Sequence, residues 1–305
     1  MSDRFSYHAH GLAVVSEIAL PELLPREGAD RADLRIAFDP SAGDAAARHG
    51  GGRAGFDFVA IGPGDAVMAV GDLGAIRVRD GARVGVSLRP GADPDLLRLF
   101  LIGSAIGMAL HQRGLLVLHA ATVVGPDGAR AIVGPQGAGK STLAAALGRR
   151  GFAVFGDDVI AVRQQGEVAT VAPASGVFKV TPRTLAALAL SPEGLRPVGG
   201  PVDKLYLPNR IAGGEAADLR EVVVIGTDPA AEPALRPLTG FEALTALATH
   251  TYRPHYVDLL DRRAAHFCQI AALAGGVPVR ALSRPWGLDG LDETAGLLDR
   301  VWRTG

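Results

Sequence analysis

The sequence predicts an α/β fold in which a phosphate-loop unit follows a β-rich N-terminal region. Three observations predict it. Residues 134–142 read Gly-Pro-Gln-Gly-Ala-Gly-Lys-Ser-Thr and fit G-x-x-x-x-G-K-[ST] without a mismatch. The stretch 129–133 ahead of the loop reads as a short buried strand, and 142–150 behind it as an amphipathic helix. Residues 1–92 break into short, partly alternating runs punctuated by Gly, Pro and Asp, the pattern of a β-rich region.

Composition narrows the classes. The chain has 305 residues, 48% of them hydrophobic, enough for two modest domains or one large one. A net charge of −1 and the lack of a long basic run predict neither a nucleic-acid partner nor an anionic membrane surface. Cys268 is the single cysteine, which excludes an internal disulfide framework and fits a reducing cytoplasm. The first residues, Met1 to His8, lack the apolar core of a signal peptide. The apolar run 96–110 is interrupted by Arg98 and is shorter than the ~20 residues of a membrane span.

In chain order, strands are expected over 5–10, 12–18, 34–38, 56–61, 66–70, 75–79 and 84–88, with 41–53 a mobile Gly-rich loop. His8, His10 and His49 have no metal-ligand spacing with acidic partners and read as structural or surface residues. The period then changes. Over 94–113 the apolar spacing predicts a largely buried helix, and Gly103 and Gly107 permit close packing against it. We take residues 93–114 as the connection between an N-terminal recognition or support domain, 1–92, and a catalytic domain, 115–305. A strand over 115–124 carries His119 beside the loop strand. Strands follow at 152–155, 159–163 and 168–172, the last two as a hairpin. Beyond them come a helix at 181–190, a Gly/Pro loop at 191–201, and strands at 203–207 and 220–225. Helices at 241–249, 266–274 and 291–302 complete the chain, with a last strand at 278–283.

The loop carries the chemistry. Gly134, Gly137 and Gly139 let backbone N–H groups approach phosphate oxygens, and the following helix adds its positive end. Gly134, Pro135, Gln136, Gly137, Ala138, Gly139, Lys140, Ser141 and Thr142 are therefore the expected nucleotide-binding residues. Lys140 would reach the β- and γ-phosphates of ATP, and the Ser141 hydroxyl would ligate Mg²⁺. Asp157 and Asp158 stand at a strand end after the loop helix. Strand alternation points them in opposite directions, so that one can serve a metal and the other an attacking hydroxyl. Lys179, Lys204, Arg210, Arg253 and Arg262 are further cations, and the sequence does not say which of them enter a phosphate site. The alternatives are an ATPase switch without an acceptor, and a small-molecule kinase or carboxykinase relative.

His119, the loop 134–142 and Arg-Arg-Gly-Phe-Ala-Val-Phe-Gly-Asp-Asp-Val at 149–159 together resemble the catalytic domain of HPr kinase/phosphorylase. That fold is also similar to the nucleotide domain of phosphoenolpyruvate carboxykinases. The layout resembles more closely the HPr-kinase-like serine kinases of lasso-peptide clusters, whose β-rich first half opens with a segment like Phe5, Tyr7, Gly11, Leu12 and 16–21 here. The specific part covers 115–165. The resemblance implies transfer of the ATP γ-phosphoryl group to a serine of a peptide or protein, such as the C-terminal serine of a precursor peptide. It implies Asp157 as base, His119 as its neighbour, Lys140 as a catalytic residue, and Ser141 with Asp158 on Mg²⁺, the order of the two aspartates being left open. HPr kinases assemble through their catalytic domains, which extends the expectation to a homo-oligomer. No counterpart of the Arg-Pro-Gly-Arg-type loop of the bifunctional enzymes occurs, so phosphorolysis is not expected. The first half also differs from that of the HPr enzymes, so HPr itself is not the expected acceptor.

Overall fold

A computed structural model describes residues 4–28, 32–50, 57–199, 203–209, 211, 215–229 and 232–304. It is a mixed α/β structure. Among the described residues, the first half of the chain forms an eight-stranded sheet. Its strands Phe5–Ala9, Leu12–Ser16, Leu34–Phe38, Val59–Gly62, Asp65–Val70, Gly74–Arg79 and Arg83–Leu88 fall where alternation predicts them, and the short Leu24–Pro25 adds an edge. The stretch expected as a mobile loop differs. Ser41–Ala45 is helical and continues into a wider helical turn, Ala46–Gly50, because Ala42, Ala45 and Ala46 are buried against Val67 and Ala75. The rest of that expected loop lies outside the described residues.

A continuous helical run, Pro94–Gln112, follows. Pro94 suits its first turn, and the Asp93 carboxylate accepts from the N–H groups of Asp95 and Leu96. Its 19 residues and mean hydropathy of 1.2 reach the length and composition of a membrane span, contrary to the reading of 96–110 as too short. Its apolar face, including Leu97, Leu101, Ile106 and Met108, is packed in the protein core. That core also holds Ile36 and Val84 of the first sheet and Val117, Ala161, Tyr252 and Tyr256 from later in the chain. Gly107 lies against Tyr252, where a Cβ would stand 2.6 Å from the ring.

The second half builds a sheet around the loop strand, Gly128–Val133. On one side of it lies the antiparallel Ala120–Gly125, then Ala153–Gly156. On the other side lies the parallel Ala217–Pro229, which in turn pairs in parallel with Val279–Arg284. The expected single strand 115–124 is two strands. Leu116–Leu118 pairs with Ile160–Gln165, Ala120–Gly125 pairs beside the loop strand, and His119 is the link between them. The chain thus changes neighbours at one residue, which fixes His119 at the mouth of the sheet. Val177–Val180 and Leu205–Pro208, a separate antiparallel pair, overhang the site, and the first of these was not legible as a strand.

Candidate active site

The loop strand ends at Val133, and the loop helix Lys140–Arg149 begins after Gly139. Gly137 and Gly139 have φ of 82° and 90°, the left-handed region that side chains resist. At Gly139 a Cβ would also stand 2.6 Å from Arg284 Nη2. Arg284, from the end of the last strand, donates from Nη2 to the Ala138 carbonyl at 2.7 Å and so ties the loop to that strand. Lys140 is buried, its Nζ donating to the carbonyls of Gly134 (2.8 Å) and Pro135 (3.1 Å). Burial lowers its pKa, against the pull of Asp157 and Asp158.

The two aspartates diverge, but not by strand alternation. The strand ends at Gly156, and Asp158 turns with φ of 85°. Holding a non-glycine residue there costs on the order of 1 kcal/mol. Asp157 faces the loop helix, where Ser141 Oγ donates to its Oδ1 at 2.8 Å. Burial first, then the charge of Asp158, raises its pKa. Asp158 faces the other way, its Oδ2 accepting from Lys179 Nζ at 2.7 Å and its Oδ1 lying 3.3 Å from His119 Nδ1. Burial pushes this carboxyl up, but Lys179 and His119 outweigh it and hold its pKa at about 2. The same pairing raises the Lys179 pKa despite the cost of burial.

His119 Nδ1 is 2.8 Å from the Asp158 carbonyl oxygen. A carbonyl only accepts, so Nδ1 carries the proton and Nε2 is the acceptor of the neutral ring. Burial, then Lys140, keeps its pKa below the ordinary histidine value. His119 N–H donates to the His250 carbonyl at 2.8 Å, and the Tyr252 ring lies 6.3 Å from the imidazole, centre to centre.

These groups line one cavity of about 520 Å³. Gln136, Gly137, Lys140 and Ser141 form one wall, Asp157, Asp158 and His119 the floor, and Lys179 and Lys204 the overhang. Leu99, Phe100, Gly103 and Ser104 of the connecting helix close it from the N-terminal side. Of the five cations the sequence left unplaced, Lys179, Lys204 and Arg253 line the cavity. Arg262 instead packs against Gly114, and Arg210 lies outside the described residues. His255 is 3.2 Å from Asp57, and His266 is hydrogen-bonded to Thr251 at 3.0 Å. Tyr252, Arg284 and the connecting helix were missed as site elements, because only long-range packing brings them there.

Ser141 and Asp157 present two hard oxygen donors at one point beside the phosphate loop. That set suits Mg²⁺, which takes one or two protein oxygens and completes its shell with phosphate and water. Ser141 is thus hydrogen-bonded to Asp157; the resemblance implied Asp158 for the metal with the order of the two aspartates left open.

No protein-family profile matches the chain, and no curated protein matches it. Among solved structures, it is similar to the Hpr(Ser) kinase/phosphatase from Coxiella burnetii at 18% sequence identity and a TM-score of 0.31. That match covers 62% of this chain and 99% of the other. A likeness of this size leaves function to be read from the site itself.

Proposed function

We propose that this chain is an ATP-dependent phosphotransferase that moves the γ-phosphoryl group onto a serine hydroxyl of a peptide or protein. The observation that carries the reading is the shared cavity. A phosphate loop with Lys140 and Ser141, and two aspartates of opposite environment, meet beneath a basic overhang. Phosphoryl transfer asks a protein for positioning and charge neutralisation, and this cavity supplies both. Loop N–H groups, Lys140 and the N-terminus of the loop helix hold the β- and γ-phosphates. Held by Ser141 and Asp157, Mg²⁺ would neutralise charge on the triphosphate.

The resemblance left the order of the two aspartates open, and the geometry supports one order. Asp158, beside His119 and open to the cavity, is assigned to the acceptor hydroxyl, and Asp157 to the metal side. Lys179 holds the ionised Asp158 in place, where it can take the serine proton late in transfer. His119 fixes the Asp158 turn from Nδ1 and offers Nε2 as an acceptor. The acceptor enters between the connecting helix and the overhang, and His10 and Glu22 line an adjoining cavity with Asp157 and Asp158, which supports a part in recognition for the N-terminal half, 1–92. The likeness of the opening segment around Phe5, Tyr7 and 16–21 to that of the lasso-cluster kinases is what supports a lasso-type precursor peptide with a C-terminal serine as acceptor, and a cytoplasmic setting goes with that reading.

Mass spectrometry of serine-bearing peptides after incubation with MgATP tests the proposal. Transfer appears as the mass of one phosphoryl group on the peptide. ADP formation at the same rate with and without peptide, and no peptide modified, would favour an ATPase instead.

A further inference from the structure

Trp286 is the residue whose position the phosphate chemistry leaves unused. It is 61% exposed. Phe241 and Phe267 are exposed as well. Trp286 differs in lining a shallow cleft together with Ala138 of the phosphate loop, Ile225, Gly226, Arg284 and Pro285.

We propose that Trp286 is the platform on which the base of the bound nucleoside triphosphate stacks. The inference rests on the phosphate loop holding the triphosphate as proposed above, and follows from sheet order. The aspartates stand on the flank of the loop strand occupied by Ala120–Gly125 and Ala153–Gly156. The opposite flank is Ala217–Pro229 and then Val279–Arg284, both parallel to the loop strand. All three parallel strands direct their carboxyl ends to one edge, and in open α/β sheets the crevice outside those ends takes the ligand. With the γ-phosphate end at Ser141 and Asp157, the nucleoside end projects across Ala138 to the other flank. That is where Trp286 lies.

Arg284 makes the platform rigid relative to the loop. Its Nη2 donates to Ala138 O at 2.7 Å, while Nη1 donates to Gly287 O at 3.2 Å and Pro285 O at 3.3 Å. One guanidinium thus bridges the loop that holds the phosphates and the turn that carries the indole. Stacking on one aromatic face is tolerant of base identity, so ATP and GTP should differ little in affinity.

The test is a titration of the full-length protein with MgATP, MgGTP and magnesium tripolyphosphate, followed by tryptophan fluorescence and calorimetry. Trp302, the second tryptophan, is buried with its Nε1 donating to Glu221 at 2.7 Å, and serves as a constant background. ATP and GTP should quench the fluorescence and tripolyphosphate should not. Trp286→Ala should remove the quenching and weaken MgATP binding by about 5- to 150-fold, the range that loss of one stacked base gives. It should leave tripolyphosphate affinity unchanged, which also shows that the variant is folded, and Trp286→Phe should recover most of the loss. If Trp286→Ala binds MgATP as tightly as the wild type while Lys140→Ala does not, the platform is wrong and the phosphate site stands. Equal losses for ATP and tripolyphosphate would also overturn the platform. No binding of either ligand by the wild type would overturn both readings.

Discussion

Asp157 and Asp158 sit side by side in sequence, and the fold gives their charges opposite consequences. The pKa of Asp157 is raised, so its ionised form is disfavoured in the folded state; the associated stability is present at low pH and lost as pH rises through the folded value. Asp157→Asn should therefore stabilise the nucleotide-free protein at pH 7 and raise its Tm. The pKa of Asp158 is held at about 2, so its contribution is present above the ordinary carboxylate range and lost as pH falls toward 2. Asp158→Asn should lower Tm at pH 7 by a few degrees, on the order of 1 kcal/mol, a modest figure because its side chain keeps 39% of its surface exposed and screened. Thermal melts of the two variants with shifts of the same sign would contradict this division. His119 supplies the pH dependence of transfer. With its pKa lowered, the ring stays neutral through pH 7 and loses its acceptor at Nε2 only below the ordinary histidine range. Transfer rate should hold level from pH 8 to about 6.5 and fall below that, and His119→Asn should remove that inflection. The loop residues and the aspartate pair were legible because their chemistry is local. The partner of each aspartate was not, since alternation assumes a strand running through 157 and 158, whereas the strand ends at Gly156 and Asp158 makes a left-handed turn.

Among the elements, the helical run Pro94–Gln112 and the break at His119 position the site. Alternation over 115–124 reads as one strand because both faces are apolar, and nothing local marks the change of neighbours. The pair Val177–Val180 and Leu205–Pro208 was half hidden for a related reason. Lys179 interrupts the apolar pattern of the first strand, and that interruption is the residue that holds Asp158. The Gly103 and Gly107 spacing, by contrast, predicted close packing, and Gly107 lies against the Tyr252 ring beside His119. Gly107→Ala should displace Tyr252, cost about 1–3 kcal/mol by overpacking, and slow transfer along with it. An unchanged melting temperature and rate would show that the ring has room to move.

For the whole molecule, the sequence separates a β-rich first half from a phosphate-loop second half, and the structure joins them through one hydrophobic core. Apolar content and periodicity show that a core exists, while the sharing of it is set by where Tyr252 and Tyr256 return to the connecting helix. A fragment covering 93–305 would expose Leu97, Leu101 and Met108, and should be insoluble or lack near-UV circular dichroism. A soluble fragment that binds MgATP would show instead that the halves fold independently. The same joining brings the connecting helix to the site, through Leu99, Gly103 and Ser104 at the cavity wall, and sets His10 and Glu22 of the first half in an adjoining cavity that Asp157 and Asp158 also line. The most direct measurement is transfer from γ-labelled ATP to a serine-bearing peptide, with phosphoamino-acid analysis of the product. Phosphoserine should form with the wild type, vanish with Lys140→Ala, and fall at least about 100-fold with Asp158→Asn while MgATP affinity is retained. Phosphoserine formed at the wild-type rate by Asp158→Asn, or label released only as free phosphate, would contradict it.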